Sequence, residues 1–377
     1  MIYLDSAATS FQKPGCVAQA VFDAMHAIAS GGRSAHGLGL AASRVVYRCR
    51  EQIAQLFGLG NPLRVAFTSG STEALNLAVS GLFGPGDHVI TTALEHNSVL
   101  RPLYRSGAAL TVLPADGRGR IADDGFAAAL RPNTRGVVCT HVSNVTGNML
   151  DLAKIGAFCR ENGLYFVVDA SQSAGVFEIS MEALGISVLC FTGHKGLLGP
   201  QGTGGLCVAE GVDLPPLKVG GSGVHSFAHA HPSEMPARLE AGTLNAHGLA
   251  GLSAALEWLE GQGLEPLRRR EQALARRFYE GVRAMPEVKI YGDWETPNRA
   301  AIVALNLGDE DAGAVADALW EDFGICTRAG AHCAPLMHEA FGTEEQGIVR
   351  VSFSHFNTEA EVDAAVAAVC SLSGGNG

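Results

Sequence analysis

The stretch that decides the fold of this chain reads Val188-Leu189-Cys190-Phe191-Thr192-Gly193-His194-Lys195-Gly196. Its apolar first half predicts a short buried strand, and the glycines after Thr192 predict a tight loop where that strand ends. Lys195 is the only lysine of the sequence that follows an apolar strand inside a glycine-rich turn. A primary amine partly removed from water is a candidate Schiff-base lysine, and an ordinary loop lysine is the alternative.

Composition narrows the class of protein before any motif is considered. The 377 residues are 47% hydrophobic, which predicts a globular chain with a large core. The net charge of −11, without a basic run, argues against nucleic acid as the main partner. We find no apolar stretch long enough to cross a bilayer and no signal-peptide pattern at the N-terminus. We therefore expect a cytoplasmic protein with no membrane partner.

The nine cysteines form no C-x-x-C pair, so we expect neither a metal site nor a disulfide framework. Three of them lie within apolar strands and are expected to be inert core thiols: Cys139, Cys190 and Cys207. Cys333 lies instead in a loop of small residues beside a histidine.

From residue 65 onward, short apolar runs recur at regular intervals. The runs are Val65–Thr68, His88–Thr92, Ala109–Leu113, Gly136–Val142, Tyr165–Asp169, Val188–Thr192 and Gly204–Ala209. Helix-like segments fill several of the gaps, which predicts an α/β fold with a mainly parallel seven-stranded sheet and helices on both faces. The later gaps are too short for long helices, so the final strand is expected to run antiparallel.

The sequence pattern changes after about residue 247. Amphipathic helical stretches rich in arginine are followed by strand-like runs at Val288–Tyr291, Ala301–Leu307 and Arg350–Phe353 and by a last helix from Thr358. We predict a large domain spanning residues 15–247. Residues 1–14 and 248–377 are predicted to form a smaller α+β domain.

A glycine turn with hydroxyl side chains, Ser69-Gly70-Ser71-Thr72, follows the first strand and opens a helix. Free backbone N–H groups and the helix dipole make such a turn a candidate anion site. The lysine of a Walker loop is missing, so a single phosphate suits the turn better than a nucleotide. A plain N-cap by Ser71 or Thr72 is the alternative.

Polar residues also follow later strands. His96 can stack on a flat cofactor ring or act as an acid–base group, or it can simply begin a helix. Asp169 ends a strongly apolar strand, where a carboxylate is costly unless it meets a cation or hydrogen-bond donors. A protonated pyridine nitrogen is one such partner, and a metal or a cap is the alternative. With Lys195, these groups are what pyridoxal phosphate requires.

The chain resembles the class V, fold-type I pyridoxal-phosphate enzymes and, within them, the cysteine desulfurases. The matching motifs run nearly end to end in fixed order: Tyr3-Leu4-Asp5-Ser6-Ala7-Ala8-Thr9, Thr68 to Asn76, Glu95-His96-Asn97-Ser98, His141 to Gly147, Val168-Asp169-Ala170-Ser171-Gln172, Thr192-Gly193-His194-Lys195, Glu240 to Asn245 and Arg328-Ala329-Gly330-Ala331-His332-Cys333-Ala334. The last, compact motif resembles the group II desulfurases, although Ala331 replaces the group's usual histidine. Some members of that group act on selenocysteine.

The resemblance implies a role for each matching residue. Lys195 would hold the cofactor covalently, His96 would stack on its ring, and Asp169 would pair with the ring nitrogen. Gln172 would bind the phenolic oxygen. The residues implied for the phosphate are Ser71, Thr72, Thr192, His194 and, from the other subunit of a homodimer, Thr243. Those implied for the substrate are Asn144, Arg328 and Arg350.

Cys333 selects the reaction that the cofactor performs. Cationic neighbours, the adjacent histidine and Arg328, are expected to favour the reactive thiolate. By the resemblance, Cys333 would take sulfur from L-cysteine as a persulfide, release L-alanine and pass the sulfur to an unidentified acceptor protein. Three alternatives stay open: a selenocysteine lyase, another class V aminotransferase or lyase with Cys333 incidental, and a non-catalytic scaffold.

Overall fold

The computed structural model describes residues 1–31 and 36–374 of the chain, and it builds them around two main β-sheets. Strand β1 (Ile2–Tyr3) belongs to a separate two-stranded pair. The strands of the larger sheet are β2 (Val65–Thr68), β3 (His88–Thr92), β4 (Ala109–Leu113), β5 (Thr134–Thr140), β6 (Tyr165–Asp169), β7 (Val188–Thr192) and β8 (Gly204–Val208). Their order in the sheet is β2-β8-β7-β6-β5-β3-β4.

The larger sheet confirms the predicted fold class. Strands β3 to β7 pair in parallel, and β8 runs antiparallel between β2 and β7, as expected from the short preceding gap. Every residue of β3, β7 and β8 is buried, which explains why these strands read as continuous apolar runs. Cys139, Cys190 and Cys207 lie in this core, as predicted.

Strand β5 differs from its prediction by two residues at each end. It was expected over Gly136–Val142 but runs from Thr134 to Thr140. Val142 instead pairs with Met149 across a compact loop, in which Ser143 N also donates to Asn148 O. This loop, residues 141–149, therefore begins directly at the carboxyl end of β5.

Helices cover both faces of the larger sheet. They are α1 (Gly15–Ala27), α2 (Gly37–Leu56), α3 (Ser71–Leu82), α4 (Asn97–Ser106), α5 (Gly125–Ala128), α6 (Leu152–Glu161), α7 (Met181–Leu184) and α8 (Ala246–Gln262). Leu252 and Leu256 of α8 pack in the same core as Ile53 of α2. The predicted domain boundary at residue 247 stays a prediction, but α8 lies against α1 and α2 beside the larger sheet.

The second main sheet is antiparallel and has four strands. The remaining elements are α9 (Leu264–Val282), β9 (Val288–Tyr291), β10 (Ile302–Leu307), α10 (Ala312–Phe323), β11 (Ile325–Cys326), β12 (Arg328–Gly330), α11 (Pro335–Phe341), β13 (Ile348–Ser352) and α12 (Glu359–Leu372). The strand order is β12-β13-β10-β9. Strands β11 and β12 and helix α11 are too short for a clear periodic pattern, so the sequence does not predict them. Arg350, predicted to open a late strand, is the third residue of β13.

The N-terminal segment connects the smaller sheet to the loop that carries Lys195. Strand β1 pairs in parallel with β11, and Asp5 forms a bridge with Ser352 at the end of β13. Further along, Ser10 N donates to His194 O at 3.0 Å. Among the described residues, no helix combines the length and the hydropathy needed to cross a bilayer.

A buried ion pair anchors the segment that leads into α8. Glu240 lies 2.8 Å from Arg50 of α2, both side chains are nearly inaccessible to solvent, and Glu240 Oε1 also accepts the N–H of Phe67 at 2.7 Å. Replacing Glu240 with alanine leaves the Arg50 charge buried and unpaired, so we expect the free energy of unfolding to fall by about 3–5 kcal/mol. Urea denaturation measures this change.

The matched control is Glu257→Ala, because Glu257 pairs with Arg48 at 3.1 Å while both side chains are mostly exposed. Such a pair contributes at most about 1 kcal/mol. Equal losses of stability in the two variants would show that the buried Arg50–Glu240 pair contributes no more to stability than an exposed pair.

Candidate active site

A pocket of about 480 Å³ opens where β5, β6 and β7 end, and it also receives residues of the smaller sheet. Eleven of the predicted site residues line it: Ser71, Thr72, His96, Asn144, Asp169, Gln172, Thr192, His194, Lys195, Arg328 and Arg350. Cys333 and Thr243 are not part of this lining. Because the carboxyl ends of parallel strands meet at one edge of a sheet, the clustering follows from the fold.

The turn before α3 forms one end of the pocket. The N-cap residue of α3 is Gly70, and no side chain caps the helix, so the predicted alternative of a Ser71 or Thr72 cap is wrong. The first turn of α3 therefore keeps backbone N–H groups for an anion. A Cβ on Gly204 of β8 would lie 2.6 Å from the Cα of Gly70, so the close approach of strand and turn requires glycine.

Hydroxyl groups converge on the same end. Thr72 Oγ1 lies 2.8 Å from Ser98 Oγ, and Ser71 Oγ lies 2.8 Å from Ser171 Oγ. These hydroxyls supply donors that complement the helix N-terminus. The set fits the single phosphate that the sequence predicts.

Asp169 occupies the deep wall of the pocket and is 3% exposed. Its Oδ1 accepts a hydrogen bond from Ser171 N at 2.9 Å and another from the Ser171 hydroxyl. The carboxylate is thus oriented from one side by the turn that follows β6. It faces Lys195 closely enough to raise the pKa of that amine.

His96 both begins a helix and faces the pocket, so the two interpretations of its sequence context are compatible. It is the N-cap of α4, and its Nδ1 accepts the N–H of Ser98 at 3.0 Å. The proton of the neutral ring therefore lies on Nε2. Burial lowers the pKa of His96, which favours this neutral form, while Asp169 acts in the opposite direction.

Glu95, which appears in the sequence only as a motif residue before His96, supports the site without lining the pocket. It is fully buried, and it bonds the Thr92 hydroxyl at 2.6 Å and Thr140 N at 2.8 Å. Burial raises the pKa of Glu95 to about 8. It joins the turn that carries His96 to the end of β5. Nothing in the local pattern signals burial on this scale.

Lys195 presents a nucleophilic amine at the centre of the pocket. Burial lowers its pKa to about 8, with Asp169 raising it and Arg350 and Arg328 lowering it further. Its Nζ makes no hydrogen bond to the described part of the chain. A fraction of the amine is therefore neutral near pH 7, as a Schiff-base lysine requires.

The neighbours of Lys195 are held by the N-terminal segment. His194 Nδ1 lies 3.0 Å from Thr9 Oγ1, and burial, with Lys195 and Lys13, lowers the pKa of His194 to about 4. Gln172 Nε2 donates to Ala7 O at 3.0 Å. Burial and the two lysines thus favour the neutral form of His194.

A buried arginine lies at the opposite end of the pocket. Arg350 is 2% exposed, pairs with Asp5 at 2.8 Å and donates to Asn144 O at 3.0 Å. Asn144 Nδ2 in turn donates to His332 O at 2.7 Å. Arg350 Nε and Asn144 Oδ1 are buried without a partner among the described residues. Arg350 Nε is a donor that can bind a small anionic group, whereas Asn144 Oδ1 is an acceptor and can only receive a hydrogen bond.

The partner of Arg350, Asp5, was not predicted from the sequence. Arg328 lies opposite Arg350 in the β12–β13 register and is exposed. At this end of the pocket, Arg350 is therefore paired with a carboxylate, whereas Arg328 has no carboxylate partner among the described residues.

Cys333 lies in an exposed and strained loop beside the pocket. Its φ is +55° and that of His332 is +50°, a conformation that residues other than glycine seldom adopt. The loop is held where Asn97 N, at the start of α4, donates to Cys333 O at 2.7 Å. His332, which does line the pocket, is buried.

The charge of His332 differs from expectation. Burial lowers its pKa to about 3, with Arg350 adding to the effect, so the ring is neutral at pH 7. The prediction that His332 is a cation beside Cys333 is therefore wrong. Arg328 remains as the cation of that motif.

Thr243 lies in two other cavities, one of them beside α2 and Glu240. The structure does not bring it to the pocket of its own chain. Its contribution to a second subunit's site stays a prediction.

We expect Arg350→Met to raise the KM for an amino-acid substrate by about 10- to 100-fold. The variant removes charge-assisted hydrogen bonds to the substrate carboxylate, each of about 1.5–3 kcal/mol. Steady-state kinetics measure the effect, and the absorbance of bound cofactor verifies that the pocket still forms. Arg131→Met, at an exposed arginine that contacts Thr111, is the control and should leave KM unchanged. An unchanged KM in Arg350→Met would remove Arg350 from the carboxylate site.

The fold and the pocket together define a fold-type I enzyme, and comparison with known proteins agrees. The family described as Aminotransferase class-V matches residues 2–365. The chain belongs to this family, whose members are pyridoxal-phosphate enzymes.

Particular relatives narrow the resemblance. A probable cysteine desulfurase of Methanothermobacter thermautotrophicus is 33% identical over 371 residues, covering 96% of this chain and 92% of the relative. A cysteine desulfurase of Cronobacter sakazakii is 34% identical over 382 residues, covering 97% and 92%. The apo structure of a cysteine desulfurase from Thermococcus onnurineus superimposes with a TM-score of 0.93 at 32% identity, covering 99% and 95%. The family predicted from the motifs is confirmed.

Proposed function

We propose that this chain is a pyridoxal-phosphate-dependent cysteine desulfurase, which converts L-cysteine to L-alanine and holds the sulfur as a persulfide on Cys333. The relatives named above support this activity. The observation that carries it is the exposed Cys333 loop, which adjoins a pocket that contains Lys195 and Asp169.

The residues of the pocket fit the cofactor. The uncapped first turn of α3 and the hydroxyls of Ser71 and Thr72 suit a phosphate, and the buried Asp169 carboxylate suits a protonated ring nitrogen. Lys195 supplies an amine with a lowered pKa for covalent attachment. When bound, pyridoxal phosphate supplies an electron sink for the carbanion formed at the substrate Cα.

Each residue of the site then has a separate role in the reaction. Arg350 and Asn144 bind the substrate carboxylate, and Lys195 removes the Cα proton as a general base. Cys333, as a thiolate, attacks the sulfur of the substrate. The S–S bond forms as the substrate Cβ–S bond breaks, and the carbon skeleton takes up protons and leaves as alanine. Arg328 favours the thiolate electrostatically.

Purified protein, supplied with pyridoxal phosphate and a reducing thiol, is expected to release equal amounts of alanine and sulfide from L-cysteine. L-selenocysteine should be run in parallel, because Ala331 replaces a histidine of the group II motif. Exchange of amino groups with a keto acid, without sulfide release, would favour an aminotransferase. Failure to bind a yellow, borohydride-reducible cofactor would exclude every pyridoxal-phosphate function.

We also propose a homodimer with shared sites. Thr243 does not line the active-site pocket of its own chain but lines a neighbouring cavity that shares Ser69, Glu73 and Gly202 with it, a position that suits a contact across a subunit interface. Sedimentation measures the assembly state. In a dimer with shared sites, Thr243→Ala should weaken cofactor retention, and a monomer with full activity would contradict this arrangement.

A further inference from the structure

The exposed side of α4 carries uncompensated positive charge. Every described arginine side chain takes part in a hydrogen bond, an ion pair or a ring contact except four: Arg44, Arg101, Arg105 and Arg328. Arg101 and Arg105 are exposed residues of α4, and Arg328 is exposed on β12. No described carboxylate lies within 4.0 Å of these three guanidinium groups. In a chain with a net charge of −11, this local excess is unusual.

The surface begins at the nucleophile. Asn97, the first residue of α4, donates its N–H to Cys333 O at 2.7 Å. Arg101 lies one helical turn further, near enough to His96 to lower the pKa of that ring, and Arg105 lies one turn beyond. Arg328 belongs to the same motif as Cys333. The positive charges therefore extend outward from the exposed thiol.

The periodicity of α4 separates this surface from the core. Val99 and Leu103 pack in a core that includes strands of the larger sheet, and Leu100 is also buried. Asn97, Arg101, Tyr104 and Arg105 have the spacing of one helix face, and Tyr104 is 57% exposed. An exposed aromatic ring between arginines is typical of a protein-binding surface.

We infer that Arg101, Tyr104 and Arg105, together with Arg328, form a docking surface for a sulfur-acceptor protein whose own surface is acidic around a reactive cysteine. This inference rests on the proposed function, since it supplies the partner for the Cys333 persulfide. Electrostatic attraction would bring the acidic acceptor to the side of the chain where Cys333 is exposed, although the chain as a whole is acidic and would repel it.

The transfer itself needs no further reagent. The acceptor thiolate attacks the outer sulfur of the Cys333 persulfide, a new S–S bond forms on the acceptor, and the bond to Cys333 Sγ breaks. Cys333 leaves as a thiolate, and the proton of the acceptor thiol goes to solvent. One sulfur atom moves and the oxidation state of the pair is conserved.

The test uses two synthetic peptides of equal length as acceptors, each with one cysteine, flanked by glutamates in one and by lysines in the other. Each rate of sulfur transfer is divided by the rate of the same peptide with a small disulfide, which corrects for thiol reactivity. The wild type is expected to prefer the acidic peptide by about tenfold at low salt. The preference should disappear in about 1 M salt, where the Debye length is about 3 Å.

Charge reversal at Arg101 and Arg105 provides the matched variants. R101E/R105E should lose or invert the preference while alanine release with dithiothreitol stays at the wild-type rate. R269E/R283E changes the net charge equally, at exposed arginines of α9 and of its C-cap that pair with Glu265 and Glu280, and should keep the preference.

Three results would overturn the docking surface: no peptide preference in the wild type, an unchanged preference in R101E/R105E, or a changed assembly state of that variant, which would make α4 an interface between copies of this chain. Absence of alanine release with dithiothreitol in the wild type would instead refute the proposed function, and the docking surface with it.

Discussion

Lys195→Ala is expected to lower the rate of alanine release from L-cysteine by at least about 10³-fold, the scale of a lost general base, with a further loss because the covalent attachment of the cofactor disappears. The amine lies at the centre of the pocket with a pKa lowered to about 8 by burial. Alanine release is measured with saturating pyridoxal phosphate, and borohydride reduction should no longer fix the cofactor to the chain.

Lys13→Ala is the matched control. Burial also lowers the pKa of Lys13 to about 8, but its Nζ bonds Ser10 Oγ at 2.6 Å and the residue does not line the pocket. We expect its activity to stay within a few fold of the wild type. If Lys13→Ala were the inactive variant and Lys195→Ala the active one, the assignment of the covalent lysine would be wrong.

Cys333→Ala is expected to reduce alanine release by roughly 10³-fold, a loss comparable to that of other catalytic groups, while cofactor absorbance stays that of the wild type. The two effects separate because Cys333 is exposed on its loop and is absent from the pocket lining. Mass spectrometry after a single turnover should find one additional sulfur atom on wild-type Cys333 and none in the variant.

Cys16→Ala tests whether any exposed thiol suffices, since Cys16 is the other described cysteine that is exposed. We expect full activity from this variant. Alanine and sulfide production at the wild-type rate by Cys333→Ala would refute the desulfurase mechanism and favour another class V reaction.

The clustering of most pocket residues could be predicted from the sequence because they lie at or just after the ends of strands of the larger sheet. Thr72, Asp169 and Lys195 come after different strands of one parallel sheet, and the carboxyl ends of such strands converge. Strand periodicity and the motif order therefore predicted both the sheet and most of its pocket. The antiparallel β8 was predictable for a related reason, since the gap before it is too short for a crossover helix.

The protonation states were not predictable in the same way. The sequence places His332 beside Cys333, and a histidine at that position was expected to be a cation. Burial by distant segments lowers its pKa to about 3 instead. Glu95 likewise appears as a polar motif residue, yet its carboxyl is fully buried and its pKa is raised to about 8. The desolvation of a group depends on every segment that packs around it, so the local sequence pattern does not predict the resulting pKa shift.

The sequence by itself determined the fold class, the family and most of the side chains that line the pocket, because these depend on residue types and on their order along the chain. Only the tertiary structure decided which groups meet across long separations. Asp5 pairs with Arg350 although 345 positions separate them, and Asn97 holds the loop of Cys333. Such contacts depend on how the N-terminal segment, α4 and the smaller sheet pack together. That packing also leaves Arg101 and Arg105 without partners beside the nucleophile.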